Sequence, residues 1–148
     1  MTDKTLKREL KKLLSEVDFA REQEQQATRG KAIAERKLVQ RYGALMESLV
    51  LPALRQLMFE LERRGHLGRL ERRSESSLRL DVQVAGRKAV QATIDAEMLY
   101  TAAPRLRFVV QHEFRVLHTA EAPLETLTEA TLAPLVVSSL RSVTSLAS

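Results

Sequence analysis

Histidine is the residue type in this chain best suited to binding a metal or moving a proton near neutral pH. His112 and His118 fall at the same parity of one predicted strand, so both are expected to point to one face of a sheet. Their spacing along that strand is about 20 Å at roughly 3.3 Å per residue, which is too far for one shared ion. His66 lies beside a predicted helix end and is expected to cap the helix or face solvent. We therefore predict no metal site.

The glycine pair Gly65 and Gly68 has the spacing of the GxxG loop with which one class of RNA-binding domain clamps a nucleic-acid backbone. In that class the loop joins two short helices. Here a long predicted helix precedes the pair and predicted strands follow it. A helix end followed by a turn is the simpler interpretation.

Basic residues surround this glycine pair and could contact phosphates without any motif. Acids such as Glu62 and Glu71 are interleaved with them, so a solvated surface is the plainer interpretation, and no aromatic interleaving suggests stacking on bases. The start of the chain is also basic, but it has no Trp and only Phe19 as an aromatic, which disfavours a membrane surface as partner. The candidate nucleic-acid contacts are Arg63, Arg64, Arg69, Arg72 and Arg73.

Catalytic signatures are missing from the sequence. There is no GxSxG elbow, no Gly-rich phosphate loop and no HExxH helix. The absence of cysteine removes thiol catalysis, disulfides and thiolate metal sites together. The strand carboxylates Asp81, Asp95 and Glu97 alternate outward and are expected to be solubilising. We therefore expect a protein that is not an enzyme and that uses no cofactor.

The front of the chain carries a heptad repeat. Apolar or small residues follow alternating spacings of four and three from Leu6 to Leu38, across more than four heptads, with Glu24 and Lys31 at two of the intervening positions. We call all the positions of this repeat, including Glu24 and Lys31, the seam. A helix this long with one narrow apolar stripe is expected to pair with another helix. The predicted oligomer interface consists of Leu6, Leu10, Leu13, Val17, Ala20, Ala27, Ala34 and Leu38.

The seam is uneven, since its middle offers only Ala20, Ala27 and Ala34, with two charged residues between them. Small seam residues suit antiparallel as well as parallel pairing, so the orientation stays open. Gly30 could break the helix into a hairpin, because glycine inside a helix costs roughly 1 kcal/mol relative to alanine. The heptad phase continues across Gly30, which favours one helix.

The chain changes in charge and in period near residues 70–76. Up to Arg73 it has 17 Lys and Arg against 11 acids, a net +6, and from Ser74 onward 7 against 8, a net −1. A helix is predicted at about 44–64, where Pro52 should kink the helix or start a new one. Beyond a polar linker, alternating apolar residues predict strands at about 76–85, 88–99 and 105–118.

After Pro123, the spacing of Thr126 and Glu129 resembles a capping box and predicts a last helix at about 126–146, with Pro134 moving its true start to about 132. On the predicted strand 105–118, Phe114 and Val116 are placed on the core face.

The expected fold is α+β, with a coiled-coil helix over residues 1–43 and a small domain over residues 44–148. That domain contains a helix, a three-stranded antiparallel meander and a C-terminal helix. No cysteine and no apolar run at the N-terminus lead us to expect a cytoplasmic protein.

The expected function is that of an oligomeric scaffold or adaptor that binds an unidentified protein partner. Among the possible oligomers, a homodimer is expected. The alternative is a basic protein that binds nucleic acid.

Overall fold

The computed structural model describes residues 3–148 and shows an α+β chain. A long N-terminal helical segment precedes a five-stranded antiparallel sheet and a C-terminal helix. The chain divides after Lys37 into two compact units, and the second unit runs from Leu38 to Ser148. The α+β class predicted from the sequence is confirmed.

Helix α1 spans Asp3–Tyr42, so the predicted long helix is present and is continuous through Gly30. Residues 1 and 2 of the predicted helix lie outside the described residues. Asp3 stands in the first turn and Arg41 in the last, where their charges oppose the helix dipole. A Cβ at Gly30 would meet nothing within 4 Å, so this glycine serves no close packing in its own chain.

The second helical segment begins after a turn at Gly43, where a Cβ would lie 2.5 Å from the carbonyl oxygen of Val39. Only glycine fits that approach without a shift of the backbone. A short π-helical stretch, Met46–Val50, leads into helix α2, Leu51–Arg63. Pro52 follows the π-helical stretch, and the backbone stays helical through Val50 and Leu51 into α2. Of the two sequence alternatives, a proline that bends a continuing helix therefore fits the structure, and a new helix starting at Pro52 does not.

The sheet has five strands in sequential order, and the prediction of three strands is wrong. Each strand pairs antiparallel with the next, so the meander itself is correct. The region assigned as a turn and polar linker contains an additional first strand, and the serines at its end form the β1–β2 turn. The strands are β1 Leu67–Ser74, β2 Ser77–Val84, β3 Val90–Leu99, β4 Arg105–His112 and β5 Arg115–Pro123.

The predicted third strand is two strands, because the chain reverses at Glu113 and Phe114. Both residues have positive φ, 49° and 65°, as the central residues of a type I′ hairpin turn require. The β4–β5 register also shifts between Val110 and Gln111. The predicted core positions Phe114 and Val116 are consequently exposed, by 107% and 57%.

One face of the sheet forms the core with α2 and helix α3, Glu129–Ala147. Helix α2 packs over β1 and β2, and α3 packs over β3, β4 and β5. The alternation predicted for β2 and β3 is confirmed, since every second side chain is buried. The predicted helix start is wrong: Thr128 caps α3 by accepting a hydrogen bond from the N–H of Thr131, and Pro134 lies inside the helix.

Candidate interaction surfaces

Helix α1 exposes nearly the whole predicted seam. Every residue from Asp3 to Lys37 is exposed, because one helix has no interior of its own. Leu6, Leu10 and Leu13 expose 49%, 48% and 56% of their surface. Val17 exposes 50%, so four large apolar side chains lie on one stripe. The structure brings these residues onto a single surface and leaves that surface uncovered within the described chain.

Leu38, at the end of the seam, differs from the other seam residues. It is half-buried and packs against the hydrophobic core of the second unit. Its side chain is therefore only partly accessible to a second helix. The expectation that Leu38 takes part in association stays a prediction.

Helix α1 also exposes apolar residues that the heptad pattern did not select. Leu14 directly follows a seam residue and exposes 59% of its surface. Phe19 and Ile33 expose 62% and 54%. Leu14 widens the apolar stripe by one position at the edge of the seam. Its placement directly after Leu13 was the sequence signal that could have identified it as part of this stripe.

The first two arginines of the basic cluster lie at the end of α2 and share one carboxylate. Arg63 Nη1 is 3.1 Å from Glu60 Oε1, and Arg64 Nη1 is 2.5 Å from Glu60 Oε2. The hydrogen bond from Arg64 and the charge of Arg63 lower the pKa of Glu60 below its ordinary value. These cations are accessible, but each already has an anionic neighbour.

The remaining arginines of the cluster lie on strand β1 and are divided between its two faces. Arg72 is paired in register with the core residue Leu78, forms an ion pair with Glu47 and donates to the carbonyl oxygen of Ser74. It thus belongs to the face that carries the helices.

On the opposite face of β1, Arg73 Nη1 is 3.7 Å from Glu71 Oε2, and Arg69 stands opposite Asp81 in the strand register. The five predicted nucleic-acid contacts therefore do not form one continuous basic patch. Phosphate would compete with carboxylates for Arg63, Arg64, Arg72 and Arg73.

The GxxG segment serves the fold. Gly65 has φ +82° just beyond α2, where a left-handed residue ends a helix. Gly68 lies in β1, and a Cβ there would meet the Met58 side chain at 3.1 Å. The second glycine thus permits close packing of α2 on β1, and the two glycines do not form one loop between two helices.

The histidines are separated and each has a hydrogen-bond partner. The Ala85 N–H donates to His66 Nδ1 at 3.0 Å, His112 Nδ1 is 2.8 Å from the Gln91 carbonyl oxygen, and His118 Nε2 is 3.1 Å from Ser138 Oγ. His112 lies on β4 and His118 on β5, so the prediction that one strand carries both histidines is wrong. Within residues 3–148 there is no group of three or more metal-ligating side chains.

The sheet face opposite the helices carries cross-strand ion pairs. Arg79 Nε donates to Asp95 Oδ1 at 2.7 Å, and this hydrogen bond raises the pKa of the half-buried guanidinium. Arg107 is 3.2 Å from Glu97, one strand further. Asp95 and Glu97, which were expected to be simply solvated, therefore join neighbouring strands. Because this face carries both cations and anions, it has no electrostatic field of one sign that could steer a charged ligand.

A groove of about 440 Å³ runs between the α2 segment and α3, and the sequence did not indicate it. Leu49, Pro52 and Val137 are among its apolar lining residues, and Glu60 and Glu129 lie at its polar positions. Apolar grooves between helices are common places for a ligand or a partner segment. No signal in the sequence could have found it, since the relative position of two distant helices forms it.

Helix α3 is the one helix within residues 3–148 that meets the length and composition of a membrane-spanning segment. It also buries Leu132, Leu135 and Val143 in the core, as an internal helix of a folded domain does. Its apolar character therefore carries no information about the compartment.

Comparisons with protein families, with curated proteins and with solved structures find no match to this chain.

Proposed function

We propose that this protein is a non-catalytic, self-associating scaffold or adaptor whose helix α1 pairs with α1 of a second copy. The pairing presents two copies of the domain from Leu38 to Ser148 at a fixed stoichiometry. The observation that supports the proposal is the uncovered apolar stripe of α1, whose large side chains are each about half exposed. Repetition of that stripe over several heptads favours another helix as its partner.

Self-association would also stabilise α1 itself. Most helices in proteins gain their stability from packing of an apolar face, and fully burying a Leu or Val contributes roughly 1.5–3 kcal/mol. Every residue from 3 to 37 of α1 is exposed. We therefore expect α1 to be fully helical in the oligomer and frayed in a monomer.

Charged substitutions in the seam test this proposal. Leu10→Glu combined with Leu13→Glu places carboxylates where the large apolar residues meet, so the chain should become monomeric and lose helical content. The control is Gln25→Glu combined with Gln26→Glu, which adds the same charge on the outer side of the helix. Light scattering coupled to gel filtration measures the mass, and far-ultraviolet circular dichroism measures the helix. Equal masses for the seam variant and the control would contradict the proposal.

A second candidate function, nucleic-acid binding, is favoured by the basic start of α1. Its cations are exposed and form no salt bridge within the described residues of their own chain. They are Lys4, Lys7, Arg8, Lys11 and Lys12. Such contacts bind phosphates electrostatically, so affinity should fall steeply as salt increases.

A gel shift with a random duplex at low salt tests this second function. Replacing Arg63, Arg64, Arg72 and Arg73 by Gln should weaken binding and reduce its salt dependence if the arginine cluster contributes. No shift of the unmodified protein at low salt would exclude the function.

A further inference from the structure

We infer that two copies pair their α1 helices antiparallel, with Leu10 of one chain beside the partner's Ala34. This inference rests on the proposed self-association and adds the orientation and register of the pair. It follows from which side chains the exposed seam and its flanks would bring together.

The charged seam residues oppose a parallel pair. In parallel alignment each residue faces its own copy, so Glu24 meets the partner's Glu24 and Lys31 meets the partner's Lys31. Both pairs place like charges at facing seam positions, where they are partly removed from water. In the antiparallel register Glu24 lies beside the partner's Ala20, and Lys31 lies beside the partner's Leu13. The two Lys31 residues are then about 27 Å apart along the axis, and the two Glu24 residues lie in adjacent layers, about 6 Å apart along the axis, instead of facing each other.

The positions that flank the seam also favour the antiparallel pair. In this register Lys7 lies near the partner's Glu35, and Glu9 lies near the partner's Lys37. Twofold symmetry repeats each pair, so four opposite-charge contacts form. Within the described residues none of these four side chains has an ion pair in its own chain, so no existing ion pair has to break. Arg21 meets the partner's Arg21 near the symmetry axis, which is the one unfavourable flanking contact.

Side-chain size agrees with this register. Leu10 meets the partner's Ala34, and Val17 meets the partner's Ala27, so these large residues face small ones. The alanines from the middle of one seam thus pack against larger apolar residues of the other chain. Leu6 meets the partner's Leu38. That residue is half-buried against its own domain, so the seam would end directly beside a hydrophobic core.

Distances between spin labels test the orientation. The chain has no cysteine, so Arg8→Cys and Glu22→Cys each give one labelling site, and both sites point away from the seam. In the antiparallel pair, position 8 lies beside position 36 of the other chain, so two labels at position 8 are about 42 Å apart along the axis. Labels at position 22 lie near the symmetry axis, at a separation of about 25 Å.

Pulsed dipolar spectroscopy distinguishes every outcome. A long distance at position 8 with a short one at position 22 supports the inference. Short distances at both positions show a parallel pair, which overturns the inference and leaves the proposed self-association standing. No dipolar coupling at either position, together with a monomer mass, contradicts the proposed function itself.

A charge-exchange cycle gives independent evidence. Lys7→Glu should raise the dissociation constant about fivefold, because two contacts with the partner's Glu35 become repulsive, and adding Glu35→Lys should restore it. The matched control is the exchange of Glu16 and Arg21, which are neighbours across the seam only in a parallel pair. Coupling between residues 16 and 21 without coupling between residues 7 and 35 would overturn the antiparallel register.

Discussion

The β4–β5 turn should be a site where substitution stabilises the protein. Glu113 and Phe114 both have positive φ, a conformation that costs a non-glycine residue roughly 1–2 kcal/mol. Phe114 is 107% exposed, so its ring gains nothing from packing within the chain. Phe114→Gly removes the steric cost at one position, while the greater freedom of glycine in the unfolded chain takes back about 0.5–1 kcal/mol. The expected net gain in the free energy of unfolding is about 0.5–1 kcal/mol.

Urea unfolding at a fixed protein concentration measures this gain, with circular dichroism as the signal. Phe114→Ser is the control, because it removes the exposed ring and keeps a side chain that disfavours positive φ. Adding Glu113→Asn should stabilise the turn further, since asparagine tolerates the left-handed region better than glutamate. A Phe114→Gly variant that unfolds at lower urea than the Phe114→Ser variant would refute the reasoning.

The remaining predictions concern two glycines and one tyrosine. Gly86→Ala should destabilise the domain, because the new Cβ would lie 2.5 Å from the carbonyl oxygen of Ala147. Gly30→Ala should instead stabilise α1 by up to about 1 kcal/mol, because alanine is the better helix former. Thermal unfolding measures both variants, and equal effects would contradict these predictions. Burial raises the pKa of Tyr100 above its ordinary value of 10.0. Its neutral form therefore favours the folded state below pH 10, and this contribution is lost as the pH rises through the folded pKa. Tyr100→Phe should unfold less readily than the unmodified protein between pH 10 and 11, and identical alkaline unfolding curves would contradict the assignment.

The sequence was sufficient for elements whose apolar period is strong. Strand β3 alternates without exception from Val90 to Met98, and each expected core residue is buried. Helix α1 is equally clear, since its heptad phase persists through Gly30. In both cases the physical signal is local, so one segment carries all the information that is needed.

Strand β1 was missed because its side chains carry little apolar signal. Four of its eight residues are charged, Gly68 has no side chain, and Leu67 is 61% exposed. Only Leu70 of this strand is both partly buried and packed against the core. Edge strands commonly carry charged residues, and the pairing with β2 that fixes β1 is not visible in its own pattern.

The β4–β5 turn was missed for the opposite reason, since its residues suggest a continuous strand. Glu113 and Phe114 are not typical of a type I′ turn, which prefers asparagine and glycine. The two-residue turn pairs Val116 with Gln111, which faces away from the core, so one missed turn misplaced Phe114 and Val116 together. In the arginine cluster, only the ion pair of Arg72 with Glu47 joins residues that are distant in the sequence, and that pair could not be predicted from local spacing.

The central claim is that the chain associates through α1, and the mass of the unmodified protein in solution tests it most directly. Sedimentation equilibrium of the full chain at tens of micromolar should give twice the chain mass of 16.7 kDa, with dissociation on dilution. A single species of 16.7 kDa at that concentration would contradict the claim.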